Sequence, residues 1–241
     1  MEESLQPVLQ TVVCPKPKKK TGKLSIKLNK KNEEMLSKGI RKYLRLIKIA
    51  NEKALNESDT SNVINDMLNE IRGYDKMEDI TTEYKIRNQF CDYGVKINNK
   101  LNFLIEVKAI TIDLNDNHLF QANSYASTKG VKRVVLTNLK ERRIYHLSFG
   151  SKIDDKLVLS IDFLQETPKE ILEKAKYLHK ESFIKKHIEQ VYQQKIATSK
   201  DNFKKALLSN SVIKKIQSEL KTISGVKVPE TEIQNIIKGL F

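Results

Sequence analysis

The sequence predicts an α/β fold: a mixed central sheet flanked by helices, an αβββαβ core, and a C-terminal helical extension. Three observations predict it. Apolar residues recur at helical spacing before residue 73 and after residue 168, whereas residues 80–163 are dominated by short β-like runs. One helical run, 118–128, interrupts those β-like runs after the third. With 39% hydrophobic residues in 241, there is enough apolar material for a buried core, which excludes a wholly disordered chain.

Each element has its own signal. From about 33 to 56, Leu36, Ile40, Tyr43, Leu44 and Ile47, then Ala54 and Leu55, mark a helix. Asp59 and Ser61 are N-cap candidates for a second helix carrying Val63, Ile64, Met67, Leu68 and Ile71, which Gly73 would end. Strands follow at 80–86 and 90–97, then a polar turn at 98–100 and a third strand at 101–109. Asp113 to Asn117 form a polar entry to a helix at 118–128, ending near Gly130. Further strands are predicted at 133–138, 142–149 and 156–163. Pro168 suits the first turn of a helix, and three helical pieces follow at 169–196, 201–223 and 230–240. Their apolar stripes, such as Ile213, Ile216 and Leu220, suit burial against the parent domain or a second copy, hence a homo-oligomer.

Charge divides the chain into three. The net charge of +14 separates into +5 over residues 1–33, +3 over 34–165 and +6 over 166–241. A basic arm, a nearly balanced domain and a basic helical region are therefore expected. Excess positive charge points to a polyanion, nucleic acid ahead of an acidic membrane surface. The plainer reading is that many soluble proteins are basic, and 37 of the 44 basic residues here are lysine. Pro15-Lys16-Pro17-Lys18-Lys19-Lys20 is extended by its prolines and suits a backbone-binding arm, a nuclear import signal in a eukaryotic host, or a solvated tail. Two cysteines, Cys14 and Cys91, exclude a disulfide scaffold and a four-sulfur zinc site. No run of 18 apolar residues and no signal-peptide order is found, so no membrane span is expected. The expected compartment is the cytoplasm of a prokaryotic or phage host, or the nucleus of a eukaryote.

The informative constellation lies at the centre. By strand alternation Phe103, Ile105, Val107 and Ala109 face one way, and Leu104, Glu106 and Lys108 the other. Charged groups inside an apolar strand are expensive. The preceding strand carries Asp92 in a similar setting, and a turn centred on Asn99 would set it directly opposite Glu106. Two such carboxylates repel, and a hard divalent cation, Mg²⁺ or Mn²⁺, resolves the repulsion. A partly buried salt-bridge cluster is the competing explanation. The chain holds four D/E-x-K triplets, at Glu83, Glu106, Asp154 and Glu219. Only the second combines an upstream Asp, an apolar strand and a following helix. His118 and His146 lack zinc spacing, and Arg142 and Arg143 read as phosphate contacts or, with slight preference, a solvated strand edge.

Several segments share the order of a known family: Asp92-Tyr93, Phe103-Leu104-Ile105-Glu106-Val107-Lys108-Ala109, Gln121-Ala122-Asn123-Ser124-Tyr125-Ala126 and Leu136-Thr137-Asn138. They resemble the PD-(D/E)xK, or restriction-endonuclease-like, nuclease fold, and more narrowly the N-terminal nuclease domain of type I restriction enzyme R subunits. Asn56-Glu57-Ser58-Asp59-Thr60 and Gly73-Tyr74-Asp75 fit that family's opening helix, so the resemblance spans about 52–163. Cys91 stands where the family's name has proline. The resemblance implies a Mg²⁺-dependent DNA endonuclease leaving a 5′-phosphate, with Mn²⁺ able to substitute and RNA the less favoured substrate. It implies that Asp92, Glu106, the Val107 carbonyl and Glu57 ligate metal, and that Lys108 positions water and stabilises charge. Gln121 and Tyr125, one helical turn apart, would hold Lys108 and the scissile phosphate. For Glu57, an ordinary exposed helix-start glutamate is the alternative. No G-x-x-x-x-G-K-[ST] occurs, so any motor or specificity function would come from a partner subunit. The runner-up is a catalytically idle nuclease fold acting as a nucleic-acid-binding or assembly subunit.

Overall fold

The computed structural model describes residues 26–86 and 89–241, with residues 84–86, 89 and 90 described by backbone alone. Cys14, the lysine run at 15–20 and most of the basic arm lie outside these residues.

Helix α1 (Lys30–Glu52) starts at Asn29, whose side chain accepts from the Asn32 N–H, and buries Leu36, Ile40, Tyr43, Ile47 and Ala50. It ends before the predicted residue 56 because Ala54 turns left-handed, at φ 52°. Helix α2 (Glu57–Arg72) is capped by Asn56, not by Asp59 or Ser61; the Asn56 side chain accepts the Asp59 N–H at 2.9 Å. Asn56, two residues after the left-handed Ala54, takes the role because the helix begins earlier than the apolar spacing suggested. Gly73, at φ 74°, ends α2 in the left-handed conformation that glycine tolerates.

Six strands then form one sheet in chain order: β1 (Ile80–Ile86), β2 (Gln89–Ile97), β3 (Lys100–Val107), β4 (Arg133–Thr137), β5 (Glu141–Phe149) and β6 (Ile153–Asp162). Every neighbouring pair is antiparallel except β3 and β4, which are parallel. Helix α3 (Asp116–Lys129) makes the crossover between those two. The β2–β3 hairpin turns on Asn98 and Asn99, both with positive φ (52° and 61°), and so pairs Ile97 with Lys100. Strand β3 is two residues shorter than the predicted 101–109 run at its C-terminal end, which leaves Lys108 just beyond the ladder.

The C-terminal third is more broken than its periodicity suggests. In place of one helix over 169–196 there are α4 (Pro168–Ala175), a 3₁₀ turn (Lys176–Leu178), α5 (Lys180–Ile184) and α6 (His187–Ala197). His179 leaves the helix at ψ 140° and caps α5 through its side chain, and Lys186 turns left-handed at φ 57°. The predicted 201–223 helix likewise divides into α7 (Lys200–Leu207) and α8 (Asn210–Ser224) at the extended Ser209; α9 (Glu230–Gly239) follows.

The sheet is covered on both faces. Phe103, Ile105 and Val107 pack with α1, α2 and α4–α6, including Ile171, Leu178, Phe183 and Ile188, so this core runs past residue 165. Leu104, Val134, Leu136 and Leu147 pack under α3 with Leu119, Ala122 and Ala126. Alternation along β3 thus divides its side chains between two cores. Helices α7–α9 build a separate small cluster around Ile213, Ile233 and Ile237. Among the described residues no helix is long and apolar enough to cross a membrane.

Candidate functional site

Three pieces of backbone meet at the C-terminal end of β3. The first is the strand itself, which carries Glu106 on the α3 side of the sheet, beside Leu104. The Lys108 N–H donates to the Thr137 carbonyl at 2.9 Å, holding the chain against β4 as it leaves the ladder. The second is the entrance of α2. Its loop is tied down by the Ile110 N–H, which donates to the Leu55 carbonyl at 3.3 Å. Its first turns are clasped to β2 by Tyr93, whose hydroxyl donates to the Ser61 carbonyl at 2.8 Å and lies 2.6 Å from the Ser61 hydroxyl. Glu57 is thereby carried to the end of β3.

The third is a break in β2. Tyr93 belongs to the α1/α2 core, yet Cys91, two residues earlier, belongs to the α3 core. Period-2 alternation therefore fails at Asp92. On the neighbouring strand the constant β1–β2 register sets Glu83 across from Asp92, and Glu83 is left-handed at φ 46°. The irregularity falls on one residue of each strand and leaves the register unchanged, but it re-aims the Asp92 side chain. The β2–β3 register, shifted at Val95/Lys96 and running through Tyr93↔Ile105, brings Asp92 in line with Glu106 as expected, although no ladder pair forms there. The β2–β3 ladder opens beyond Tyr93↔Ile105, and an Asp92 carboxylate oxygen accepts the Val107 N–H at 2.7 Å.

The side chains nevertheless converge. The Lys108 ammonium donates to Glu106 Oε1 at 2.7 Å and sits 3.9 Å from Glu57 Oε1. Glu106 is almost wholly buried, while the Glu57 side chain is 52% exposed. Burial pushes the Asp92 carboxyl above the usual range, with the Val107 N–H and Lys108 opposing and Glu57 and Glu83 adding to the rise. Glu106 is also raised, by burial first, against the hydrogen bond from Lys108, with the Asp92 charge reinforcing the rise. Burial works against the Lys108 ammonium, but the Glu106 hydrogen bond and the charges of Glu106, Glu57 and Asp92 outweigh it, so its pKa is raised. Tyr125 is buried on α3 and raised by burial and by the Glu106 charge, which places it beside the group.

Glu57, Asp92, Glu106, Val107, Lys108 and Tyr125 thus form one neighbourhood. Gln121 is exposed one turn before Tyr125. Among the described residues no three His, Cys, Asp or Glu side chains lie close enough together to hold a metal ion. The donor chemistry still suits a hard cation: the acidic groups are all oxygen donors, and both buried carboxylates are penalised as anions in a way that a divalent charge would relieve.

Sequence reasoning missed Glu83, because its own E-x-K triplet was judged without counting the register that sets it across from Asp92. Arg142 is corrected outright: it is 3% exposed, not on a solvated edge, because its strand is covered on both faces. Arg143 binds Glu141 through two nitrogens, at 2.6 and 3.0 Å. His118 is a helix-start residue, closing a capping box with Asn115. His146 stacks on Tyr192 with centroids 3.6 Å apart.

No protein family, curated protein or solved structure matches this chain.

Proposed function

We propose that the chain is a Mg²⁺-dependent nuclease of the restriction-endonuclease-like fold that hydrolyses phosphodiester bonds in DNA. The observation that carries the proposal is the gathering of Asp92, Glu106, Lys108 and Glu57 where β3 ends. Supporting it, α2, β1, β2, β3, α3 and β4 occur in the αβββαβ order of that fold, with the parallel β3–β4 pair at the sheet centre. Asp92 and Glu106, with the Val107 carbonyl and Glu57, would hold the ion, which when bound supplies Lewis-acid charge and an activated water. Lys108 is a fixed donor beside that position. Once its ion pair with Glu106 opens, it offers its ammonium to a non-bridging phosphate oxygen, where negative charge develops. Tyr125, packed on α3 with Cys91 and Leu104, would help to hold Lys108 and the scissile phosphate. Gln121, exposed on α3, would assist Tyr125 in holding the scissile phosphate. Lysine-rich flanks add salt-dependent affinity for backbone phosphates.

The closed Lys108–Glu106 pair favours one alternative, an idle nuclease fold that serves as a nucleic-acid-binding or assembly subunit. Plasmid cleavage with Mg²⁺ separates the two. Wild type is expected to cut, and Asp92→Ala and Lys108→Ala to lose about 10²–10³-fold or more in rate. Calorimetric titration with Mn²⁺ should show binding to wild type that Asp92→Ala abolishes. Equal cleavage by all three proteins, or no metal binding by wild type, would sink the nuclease assignment.

A further inference from the structure

Helix α1 turns Leu36, Ile40, Tyr43 and Ile47 toward the core. On its opposite face, at the 3-4-3 spacing that keeps residues in line on a helix, stand Lys38, Arg41, Arg45 and Lys48, all exposed. Among the described residues none of the four has an ion pair or a side-chain hydrogen bond. Lys42, on the flank of the same helix, is by contrast held by Glu70 at 2.6 Å. Glu34 and Glu52 stand at the two ends of the outer face, so the uninterrupted positive stretch runs from Lys38 to Lys48. The near-balance of residues 34–165, at +3, conceals it because a sum ignores position. Arginine use sharpens the point, since the chain has 7 arginines against 37 lysines. Arg72 and Arg142 are buried, and Arg133 and Arg143 are bound to Glu189 and Glu141. Among the described residues that leaves Arg41 and Arg45, one helical turn apart, facing solvent unpaired. A guanidinium binds phosphate through two parallel N–H donors, which an ammonium cannot do.

From Lys38 to Lys48 the helix rises about 15 Å, a length over which one strand of a DNA duplex presents about four phosphates. Four unpaired cations therefore meet a matching run of anions, with no reference to the bases. The stripe also has a direction. At its C-terminal end the Leu55 N–H donates to the Ala50 carbonyl at 3.2 Å, and the Ile110 N–H donates to the Leu55 carbonyl at 3.3 Å. The end of α1 is thereby tied to the segment that carries Lys108, and the chain reaches Glu57 two residues after Leu55. We propose that the outer face of α1 holds one phosphate backbone of duplex DNA and leads it to the site at the end of β3. The choice of DNA as the polyanion rests on the nuclease reading. An anionic lipid surface offers similar charge, and the tie to the Glu57–Lys108 neighbourhood is what favours DNA.

The test is binding of a fluorescein-labelled DNA duplex to the full chain, by anisotropy over a salt series in EDTA, where neither metal nor cleavage enters. Wild type should bind. Lys38→Gln/Arg41→Gln/Arg45→Gln/Lys48→Gln should bind about 10²-fold or more weakly at about 0.1 M salt, with the slope of log K against log salt reduced by about 3–4. Lys100→Gln/Lys129→Gln/Lys132→Gln/Lys152→Gln removes the same charge where β3 and β4 begin and β5 turns into β6, at the other end of the sheet from Lys108. It should stay within about fivefold of wild type, because screening limits the reach of distant charges. If the α1 variant does not fold, Arg41→Gln/Arg45→Gln takes its place and should cost about tenfold or more, with the slope reduced by about 2. No duplex binding by wild type, no loss in the α1 variant, or equal loss in both quadruple variants would overturn the proposal. So would loss of capture on phosphatidylserine vesicles with duplex binding intact, which would assign the face to lipid. Wild type that never cuts but binds through α1 refutes the nuclease reading alone; full affinity after the α1 substitutions in a protein that still cuts refutes the stripe alone.

Discussion

At the scale of single residues, Asp92 and Glu106 are held as buried carboxylates against their own preference. Because their folded-state pKa values lie above the unfolded ones, the folded chain binds these protons more tightly. Their ionisation therefore removes stability as pH rises from about 4 through the raised folded values. Lys108 has the opposite consequence: its raised pKa contributes stability that is complete below about 10.4 and lost above it. We expect Asp92→Asn, which keeps an oxygen to accept the Val107 N–H, to melt at or above wild type near pH 7 in the absence of divalent ions. The difference should shrink toward pH 4, while cleavage is lost at every pH. Paired melting curves over that range measure it; a variant markedly less stable than wild type at pH 7 contradicts the assignment. The sequence made the E-x-K motif, the upstream Asp and Glu57 legible because alternation and hairpin spacing are arithmetic. It hid the re-aiming of Asp92, since a one-residue break at constant register leaves no mark in apolar spacing, and a glutamate at φ 46° looks like any other strand residue.

At the scale of elements, the crossing of α1 and α2 is set by Gly39. A Cβ there would lie 1.9 Å from Ile71 Cγ2 and 2.8 Å from Ile71 Cβ, so the helices approach at a distance that excludes a methyl group. Alanine would gain about 1 kcal/mol of helix propensity but meet an overpacking cost of ~1–3 kcal/mol, and the contact with a Cβ leaves no side-chain rotation to relieve it. Gly39→Ala is expected to be net destabilising by up to ~2 kcal/mol, read from urea unfolding. A stability gain would show that the crossing is looser than drawn. The strands and the long helices were legible from periods of 2 and 3.6. The breaks at His179, Lys186 and Ser209 were not, because each keeps the apolar stripe in phase while a side-chain cap or one left-handed residue redirects the backbone.

For the molecule as a whole, α7–α9 have a small core of their own, separate from the two that enclose the sheet. A chain ending at Thr198 should fold cooperatively and melt within about 5 °C of the full protein. It would lack 8 basic and 4 acidic residues, so its DNA affinity should fall, with a shallower dependence on salt. Fluorescence anisotropy over a salt series checks both. An unfolded truncated chain would mean that α7–α9 belong to the principal fold. The strand order carries one more consequence. Four of the five strand-to-strand connections are short and antiparallel, within two local meanders, β1–β3 and β4–β6, and the β3–β4 seam requires a crossover. Local meanders close quickly, whereas the seam must wait for α3 and the entropy of closing its longer loop. Glu106 lies on one side of that seam and Thr137, which anchors Lys108, on the other. Asp92 and Glu106 meet within the first meander, and Glu57 comes from α2, so the seam adds only the hold of the Thr137 carbonyl on the Lys108 N–H, which fixes the ammonium last.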